Sequence, residues 1–153
     1  MQAQPEGSML SVRLPAAELS PRLPEGVVIA AENAPALCVA SGPTEAIARL
    51  EEELAAGGVT ARRLVTSHAF HSPMMDPVIE PMAARLAAVR LSPPKIPILS
   101  TVTARWLTDA DATSTRYWAE HLRRPVRFGP AAAELLADPR RVLIEVGPRA
   151  TLS

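Results

Sequence analysis

Six short segments of alternating type fill the first part of this chain, and their order restricts the folds it can adopt. Residues 9–14 alternate apolar and polar side chains as a half-buried strand does. Apolar, strand-like runs follow, at residues 27–31, 37–40 and 62–66. Residues 15–19 predict a short helix, and a helix-start signal at 41–44 opens a longer one that stops at Gly57-Gly58. The predicted order within residues 8–67 is therefore β-α-β-β-α-β.

That order is the split βαβ, or ferredoxin-like, pattern, and it predicts a small α+β unit over residues 1–67. The remainder, residues 68–153, reads differently. It predicts three helices, at residues 74–89, 115–123 and 131–137, and Pro77 and Pro81 lie early in the first of them. It also predicts a strand at residues 96–102 and a buried-type strand at residues 142–146. Two strands and three helices make a poor independent core. We therefore expect this half to be the tail of a larger α/β sheet and to expose apolar surface.

Composition excludes several classes of function. The chain has 16 basic and 16 acidic residues and only 3% aromatics, with none in residues 8–67, which argues against nucleic-acid binding. No apolar run approaches the ~20 residues that span a bilayer, so we expect no membrane partner. A lone Cys38 in an apolar run rules out a disulfide within the chain and fits a small core residue in a cytoplasmic protein.

Two of the three histidines, His68 and His71, lie three residues apart where a strand is expected to give way to a helix. Histidine is the side chain best suited to proton transfer near neutral pH. A structural role is the ordinary alternative for such a residue, and a zinc site is disfavoured because Asp76 is the only other nearby ligand candidate. The third histidine, His121, is as consistent with a partly exposed helix residue as with a functional one.

Residues 65–77 resemble the histidine motif of the acyltransferase domains of modular polyketide synthases, and more distantly that of malonyl-CoA:acyl-carrier-protein transacylases. Further blocks agree in order along nearly the whole chain, at residues 1–10, 33–35, 39–43, 117–118, 121–128 and 145–148. The resemblance implies an α/β-hydrolase-like large subdomain with an inserted ferredoxin-like small one. The chain would then hold a complete small subdomain, residues 1–67, and a C-terminal segment of the large one, residues 68–153.

The resemblance also implies roles for individual residues. His71 would be the catalytic base and acid, and His68, Ala69 and Phe70 would occupy the extender-unit signature in a form that usually accompanies malonyl units. His121 would fall where a backbone carbonyl orients the catalytic histidine. The implied donor is malonyl-CoA, and the implied acceptor is the phosphopantetheine thiol of an acyl carrier protein. The remainder of the domain and its synthase are further partners, with no bound cofactor and no metal.

The serine nucleophile of the family cannot be assigned in this chain. It lies on a Gly-x-Ser-x-Gly elbow, and although Ser8 follows Gly7, Leu10 occupies the later glycine position. The family's carboxylate-binding arginine and oxyanion-hole glutamine also have no match. We therefore expect a fragment of a malonyl-type acyltransferase domain that is inactive alone. A non-catalytic remnant or ferredoxin-like interaction module, and an unrelated histidine-dependent enzyme, are the alternatives.

Overall fold

The computed structural model describes residues 3–147, so Met1, Gln2 and Pro148 of the blocks named above lie outside the described residues. The first part of the chain has the six predicted elements in the predicted order. They are β1 (Ser8–Val12), α1 (Ala16–Leu19, continued by a 3₁₀ turn at Ser20–Arg22), β2 (Val28–Ala34), β3 (Leu37–Gly42), α2 (Thr44–Ala56) and β4 (Ala61–Arg63). The strands form one sheet in the order β2-β3-β1-β4, with every neighbouring pair antiparallel.

The two faces of this sheet have different roles. Because successive side chains of a strand point to opposite faces, Leu10 and Val12 of β1 join the core beneath the helices, whereas Met9 faces the other way. The helix-side core is made of Leu10, Val12, Leu19, Val27, Cys38, Ala40, Ala46, Ile47, Leu50 and Leu54. On the opposite face Met9, Ala30, Ala31 and Val39 are covered by side chains from the second half of the chain. One face therefore stabilises the unit and the other receives the segment that carries the histidines.

The second half consists of short helices and one small hairpin. Its elements are a 3₁₀ turn at Pro73–Met75, α3 (Asp76–Leu86), β5 (Leu99–Ser100), β6 (Arg105–Trp106), α4 (Asp109–Ala112), α5 (Thr115–Glu120) and α6 (Phe128–Leu136). The predicted helices are present, and Pro81 is accommodated inside α3. The predicted strand at 96–102 shrinks to β5, because its ladder with β6 extends over two residue pairs, Leu99 with Trp106 and Ser100 with Arg105.

The two halves are joined by the backbone at Val126. The amide of Val126 donates to the carbonyl of Ala30 at 2.8 Å, and its carbonyl accepts from the amide of Glu32 at 2.8 Å. This parallel bridge to Ala31 adds one residue to the open edge of the sheet at β2. Gly129 then brings α6 against the same strand, where a Cβ would lie 3.2 Å from the backbone of Ala34. The second half is thus fixed to the sheet edge by main-chain contacts.

The prediction of a strand at residues 142–146 is wrong for this structure. The segment has no regular secondary structure, and Val142, Ile144 and Val146 are 83%, 81% and 93% exposed. A strand needs a neighbouring backbone to pair with, and neither sheet in the described residues includes this segment. The segment is apolar, but no contact within residues 3–147 buries its valine and isoleucine side chains.

The expected exposure of apolar surface is confirmed. Within the described residues 68–147, the exposed large apolar side chains are Val89, Ile96, Ile98, Trp106, Leu136, Val142, Leu143, Ile144 and Val146. No helix in the described part is long and apolar enough to cross a membrane. Residues 3–147 also contain no cluster of three or more histidine, cysteine or carboxylate side chains placed to hold a metal ion.

Gly42 tests how tightly β3 is packed against the start of β2. A Cβ at Gly42 would lie 2.8 Å from the carbonyl oxygen of Gly26 and 2.9 Å from Cγ2 of Val27. We expect Gly42→Ala to lower the free energy of unfolding by about 1–3 kcal/mol, the usual cost of overpacking. Urea unfolding followed by circular dichroism measures the change.

Gly57→Ala is the matched control for Gly42→Ala. The nearest atoms to a Cβ at Gly57, at the end of α2, lie at an ordinary contact distance of 3.5 Å. We expect this variant to stay within about 0.5 kcal/mol of the original chain. Equal unfolding midpoints for the two variants would contradict the packing described for Gly42.

Candidate active site

The segment between β4 and α3 is braced by its own polar side chains. Thr66 Oγ1 donates to the carbonyl of His68 at 2.7 Å and accepts from the amide of the same residue at 3.2 Å. Ser72 Oγ, which is fully buried, donates to the carbonyl of Ala69 at 2.7 Å and accepts from the amide of Met74 at 3.2 Å. Hydroxyls that satisfy backbone groups locally are typical of turns. They give the two-histidine segment one defined path.

Gly7 holds this segment against the sheet. Its amide donates to the carbonyl of Ser67 at 3.2 Å, and a Cβ at Gly7 would lie 2.6 Å from Cβ of Ala69 and 2.8 Å from its amide nitrogen. Only glycine permits so close an approach of two backbones. In the sequence, Gly7 stood out only as part of an incomplete nucleophile motif. A glycine immediately before β1 was the available signal for this packing role.

His71 lies in the left-handed backbone region, with φ of 60°. Its amide donates to the carbonyl of Leu122 at 2.9 Å, and its Nδ1 lies 2.8 Å from the carbonyl oxygen of Arg124. A carbonyl can only accept, so Nδ1 carries a proton, and the neutral form of this ring has its lone pair at Nε2. This is the tautomer that a general base requires.

The carbonyl that orients His71 belongs to Arg124. The prediction that His121 supplies that carbonyl is therefore wrong in position by three residues. His121 ends α5, and the chain turns after it, so the carbonyls of Leu122 and Arg124 are the ones that face His71. Because a main-chain acceptor leaves no requirement on side-chain type, the sequence held no signal that could identify Arg124.

His121 packs beside this turn through its ring. The imidazole stacks on Trp118 with centroids 5.2 Å apart and meets the edge of Tyr117 at 4.8 Å. Its Nε2 is buried and has no hydrogen-bond partner among residues 3–147. Burial, followed by repulsion from His71, lowers the pKa of His121 from its ordinary value of 6.5. A supporting role for His121 in the reaction remains a prediction.

The three residues predicted to shape specificity lie together. His68 is buried, and its Nδ1 lies 2.8 Å from Ser67 Oγ. Ala69 is fully buried, and Phe70 packs on the sheet face formed by Met9 and its neighbours, with its ring centroid 6.1 Å from that of His68. The structure thus brings these side chains to the sheet face nearest His71. Their role in choosing a substrate remains a prediction.

This arrangement can accept and return a proton at His71. Its hydrogen-bond partners in the described part are two backbone carbonyls, which leaves Nε2 for a reacting group. His71 and His121 are close enough for their charges to repel, which disfavours protonation of both rings together. The geometry fits a base that must act on a nucleophile placed at Nε2.

The lowered pKa of His121 gives a direction for the dependence of stability on pH. Because the folded pKa lies below the unfolded one, the unfolded chain binds the proton first as the pH falls below 6.5. The free energy of unfolding should therefore decrease from pH 6.5 toward the folded pKa, by at most about 1.4 kcal/mol per pH unit. His121→Gln should remove this part of the slope. An NMR titration of the imidazole protons checks the shift directly, and an unshifted His121 resonance would contradict it.

Known proteins similar to this chain all point to one family. The family model described as the acyl transferase domain matches residues 1–153. A phenolphthiocerol/phthiocerol polyketide synthase of Mycobacterium tuberculosis is 35% identical over 153 residues, which are 100% of this chain and 10% of that protein. The mycoketide-CoA synthase of the same organism is 40% identical over 149 residues, 97% of this chain and 4% of that protein.

Solved structures agree with the sequence relatives. The acyl transferase domain of SpnD superposes with a TM-score of 0.92 at 42% identity, covering 96% of this chain and 36% of that one. The acyl transferase domain of ZmaA gives a TM-score of 0.85 at 34% identity, covering 99% and 36%. The chain thus spans a tenth or less of these synthases and about a third of the solved chains. It belongs to the acyl transferase domain family, and it has the mixed α/β fold of the acyl transferase domains of polyketide synthases.

Proposed function

We propose that this chain contributes the proton-transfer half of an acyl transferase domain of a polyketide synthase. In this proposal a malonyl-type unit passes from CoA to the phosphopantetheine thiol of an acyl carrier protein, through an ester of a serine outside residues 1–153. The observation that carries the proposal is the pair of backbone carbonyls, of Leu122 and Arg124, that accept from the amide and from Nδ1 of His71, while Nε2 has no hydrogen-bond partner in residues 3–147. Membership of the family supports the type of reaction.

His71 would act twice in each cycle. In the first half-reaction its Nε2 takes the proton of the serine hydroxyl as the serine oxygen attacks the thioester carbon. The carbon–sulfur bond then breaks, and the proton passes to the CoA sulfur. In the second half-reaction Nε2 takes the proton of the carrier thiol as that sulfur attacks the serine ester, and returns it to the serine oxygen. Proton transfer of this kind contributes about 10²–10⁴-fold in rate.

The topology of the sheet supports the proposed domain division. Residues 1–67 form the ferredoxin-like small subdomain, since the antiparallel order β2-β3-β1-β4 with two helices on one face fits that pattern. Residues 68–153 form a C-terminal segment of the large α/β subdomain. His71 would then lie at the junction, where the sheet face lined by Met9 and Val39 meets the second half.

A malonyl-type acyl group is the proposed substrate because of His68, Ala69 and Phe70. The small Ala69 is fully buried, and its neighbours in the chain are the buried imidazole of His68 and the phenyl ring of Phe70, which packs on the sheet. These three side chains therefore have little room to change position. The related acyl transferase domain of SpnD is described in complex with 2-(pent-4-yn-1-yl)malonyl. That description supports a malonyl core in the substrate proposed for this chain.

The chain alone should not form an acyl-enzyme. Without a serine on a nucleophile elbow, His71 has nothing to activate, so we expect no covalent adduct after incubation with isotope-labelled malonyl-CoA. Intact-mass spectrometry makes the measurement. Stable, stoichiometric gain of one malonyl group would show that the chain holds its own nucleophile and would overturn this part of the proposal.

The role of His71 can be tested in a complete domain. Residues 1–153 would replace the matching segment of the SpnD acyl transferase domain, with which they share 42% identity. In this chimera His71→Ala should slow acyl transfer by about 10²–10⁴-fold, because the general base is lost.

The matched control in the chimera is Glu52→Gln, on the exposed side of α2. It should transfer at the rate of the unsubstituted chimera. If His71→Ala kept a rate within a few-fold of the same chimera, His71 would not be the base.

A further inference from the structure

A cleft of about 330 Å³ lies between α3 and the end of α5, beside the turn that holds His71. It is lined by Ile79, Arg116, Glu120, Arg123 and Arg124. We call it the arginine cleft. Three guanidinium groups surround one concave surface in a chain with 16 basic and 16 acidic residues. The side chains of these arginines have no part in the proton transfer proposed for His71.

Each of the three arginines forms an ion pair with a carboxylate. The two oxygens of Glu120 face Nε of Arg116 at 2.7 Å and Nε of Arg124 at 3.2 Å. Asp76 binds Nε of Arg123 at 2.6 Å, and Glu80 binds Nη1 of Arg116. These bonds to Glu120 and Glu80 raise the pKa of Arg116 above its ordinary value, so its charge is permanent. The arginine side chains are therefore oriented before any ligand arrives.

The bonds leave hydrogen-bond donors unused. Within residues 3–147 the side-chain contacts of Arg123 and Arg124 run through Nε, so both terminal Nη groups of each remain available. Such a planar fork matches the oxygens of a phosphate group. The lining residues sum to a charge of +2, from three arginines and one glutamate. With Asp76 and Glu80 included, the net charge of the network is zero. A ligand would therefore be bound by hydrogen bonds from the guanidinium groups and not by long-range electrostatic attraction.

Arg124 connects the cleft to the base. Its backbone carbonyl orients His71 Nδ1 at 2.8 Å, while its half-exposed side chain lines the cleft. A ligand group held by Arg124 is therefore anchored by the same residue that makes the orienting contact. In both proposed substrates a phosphate precedes the pantetheine chain, and the thiol lies at the far end of that chain. A surface anchor for the phosphate would leave the thiol free to reach the reacting centre.

We propose that the arginine cleft binds the phosphate group next to pantetheine, in acyl-CoA or in the phosphopantetheine arm of a carrier protein. This inference rests on the proposed function for its choice of ligand. The chemistry shared by both sources is a phosphate ester that accepts from the Nη groups of Arg123 and Arg124. Ile79 supplies the apolar floor of the cleft.

Titration calorimetry of the 153-residue chain with four probes tests the proposal. The probes are CoA, 3′-dephospho-CoA, 4′-phosphopantetheine and pantetheine. We expect the three phosphate-bearing probes to bind and pantetheine to bind at least about tenfold more weakly, since a charged hydrogen bond is lost. If phosphopantetheine binds as CoA does, the cleft reads the phosphate common to donor and carrier. Binding of CoA but not of phosphopantetheine would restrict the ligand to the donor. Equal binding of pantetheine and phosphopantetheine overturns the proposal.

Variants locate the binding to the cleft. Arg124→Gln and Arg123→Gln should each weaken phosphopantetheine binding about tenfold or more, and neither should unfold the chain, because exposed ion pairs contribute little to stability. Arg62→Gln, an exposed arginine of β4 away from the cleft, is the matched control and should bind as the original chain does. Unchanged binding in both cleft variants would overturn the assignment.

His71→Gln separates this inference from the proposed function. Loss of the base would not alter phosphate binding in the cleft, so this variant should bind phosphopantetheine normally. A chimera that transfers acyl groups through His71 while Arg124→Gln leaves both phosphopantetheine binding and KM unchanged would overturn the cleft alone. If the cleft binds phosphopantetheine but His71→Ala leaves the rate of acyl transfer by the chimera unchanged, the role of His71 as base is overturned and the cleft assignment stands.

Discussion

The backbone of residues 122–126 is the constraint on which the rest of this structure depends. On one side its carbonyls at Leu122 and Arg124 bind the amide and the ring of His71. On the other side Val126 bonds to Ala30 and Glu32 at the edge of the sheet. This short run of residues therefore fixes the histidine relative to β2. Because the bonds are made by the main chain, they tolerate changes of side chain that would break a side-chain contact.

This clamp explains why His71 can keep an uncommon backbone conformation. A non-glycine residue with φ of 60° costs of order 1 kcal/mol or more and persists only where its surroundings over-determine it. Here the amide, the ring, and the adjacent Ser72 hydroxyl are all bonded. This backbone conformation accompanies the contact of Nδ1 with the Arg124 carbonyl in the turn after α5. The strained backbone of His71 thus accompanies a contact that fixes the proton at Nδ1.

The sequence was informative where periodicity reports on local burial. Alternation in β1 and the helical spacing of Ile47, Leu50 and Leu54 predicted the first sheet and α2 correctly, because those residues are buried by their immediate neighbours. It misled at residues 142–146, whose apolar character requires a partner strand that residues 3–147 do not provide. His71 and the three residues predicted to shape specificity could be located by motif. Arg124 could not, because a carbonyl acceptor leaves no trace in residue type.

In the turn at residues 121–124, the main chain and the side chains make different contacts. The carbonyls of Leu122 and Arg124 bind His71 whatever side chains these two residues carry. The side chains at 121, 123 and 124 can therefore make other contacts. His121 uses its ring to pack on Trp118 and Tyr117, which stiffens the end of α5. Arg123 and Arg124 turn outward toward Asp76 and Glu120. Because the main chain of this turn positions His71, we expect substitutions of its side chains to leave the imidazole in place.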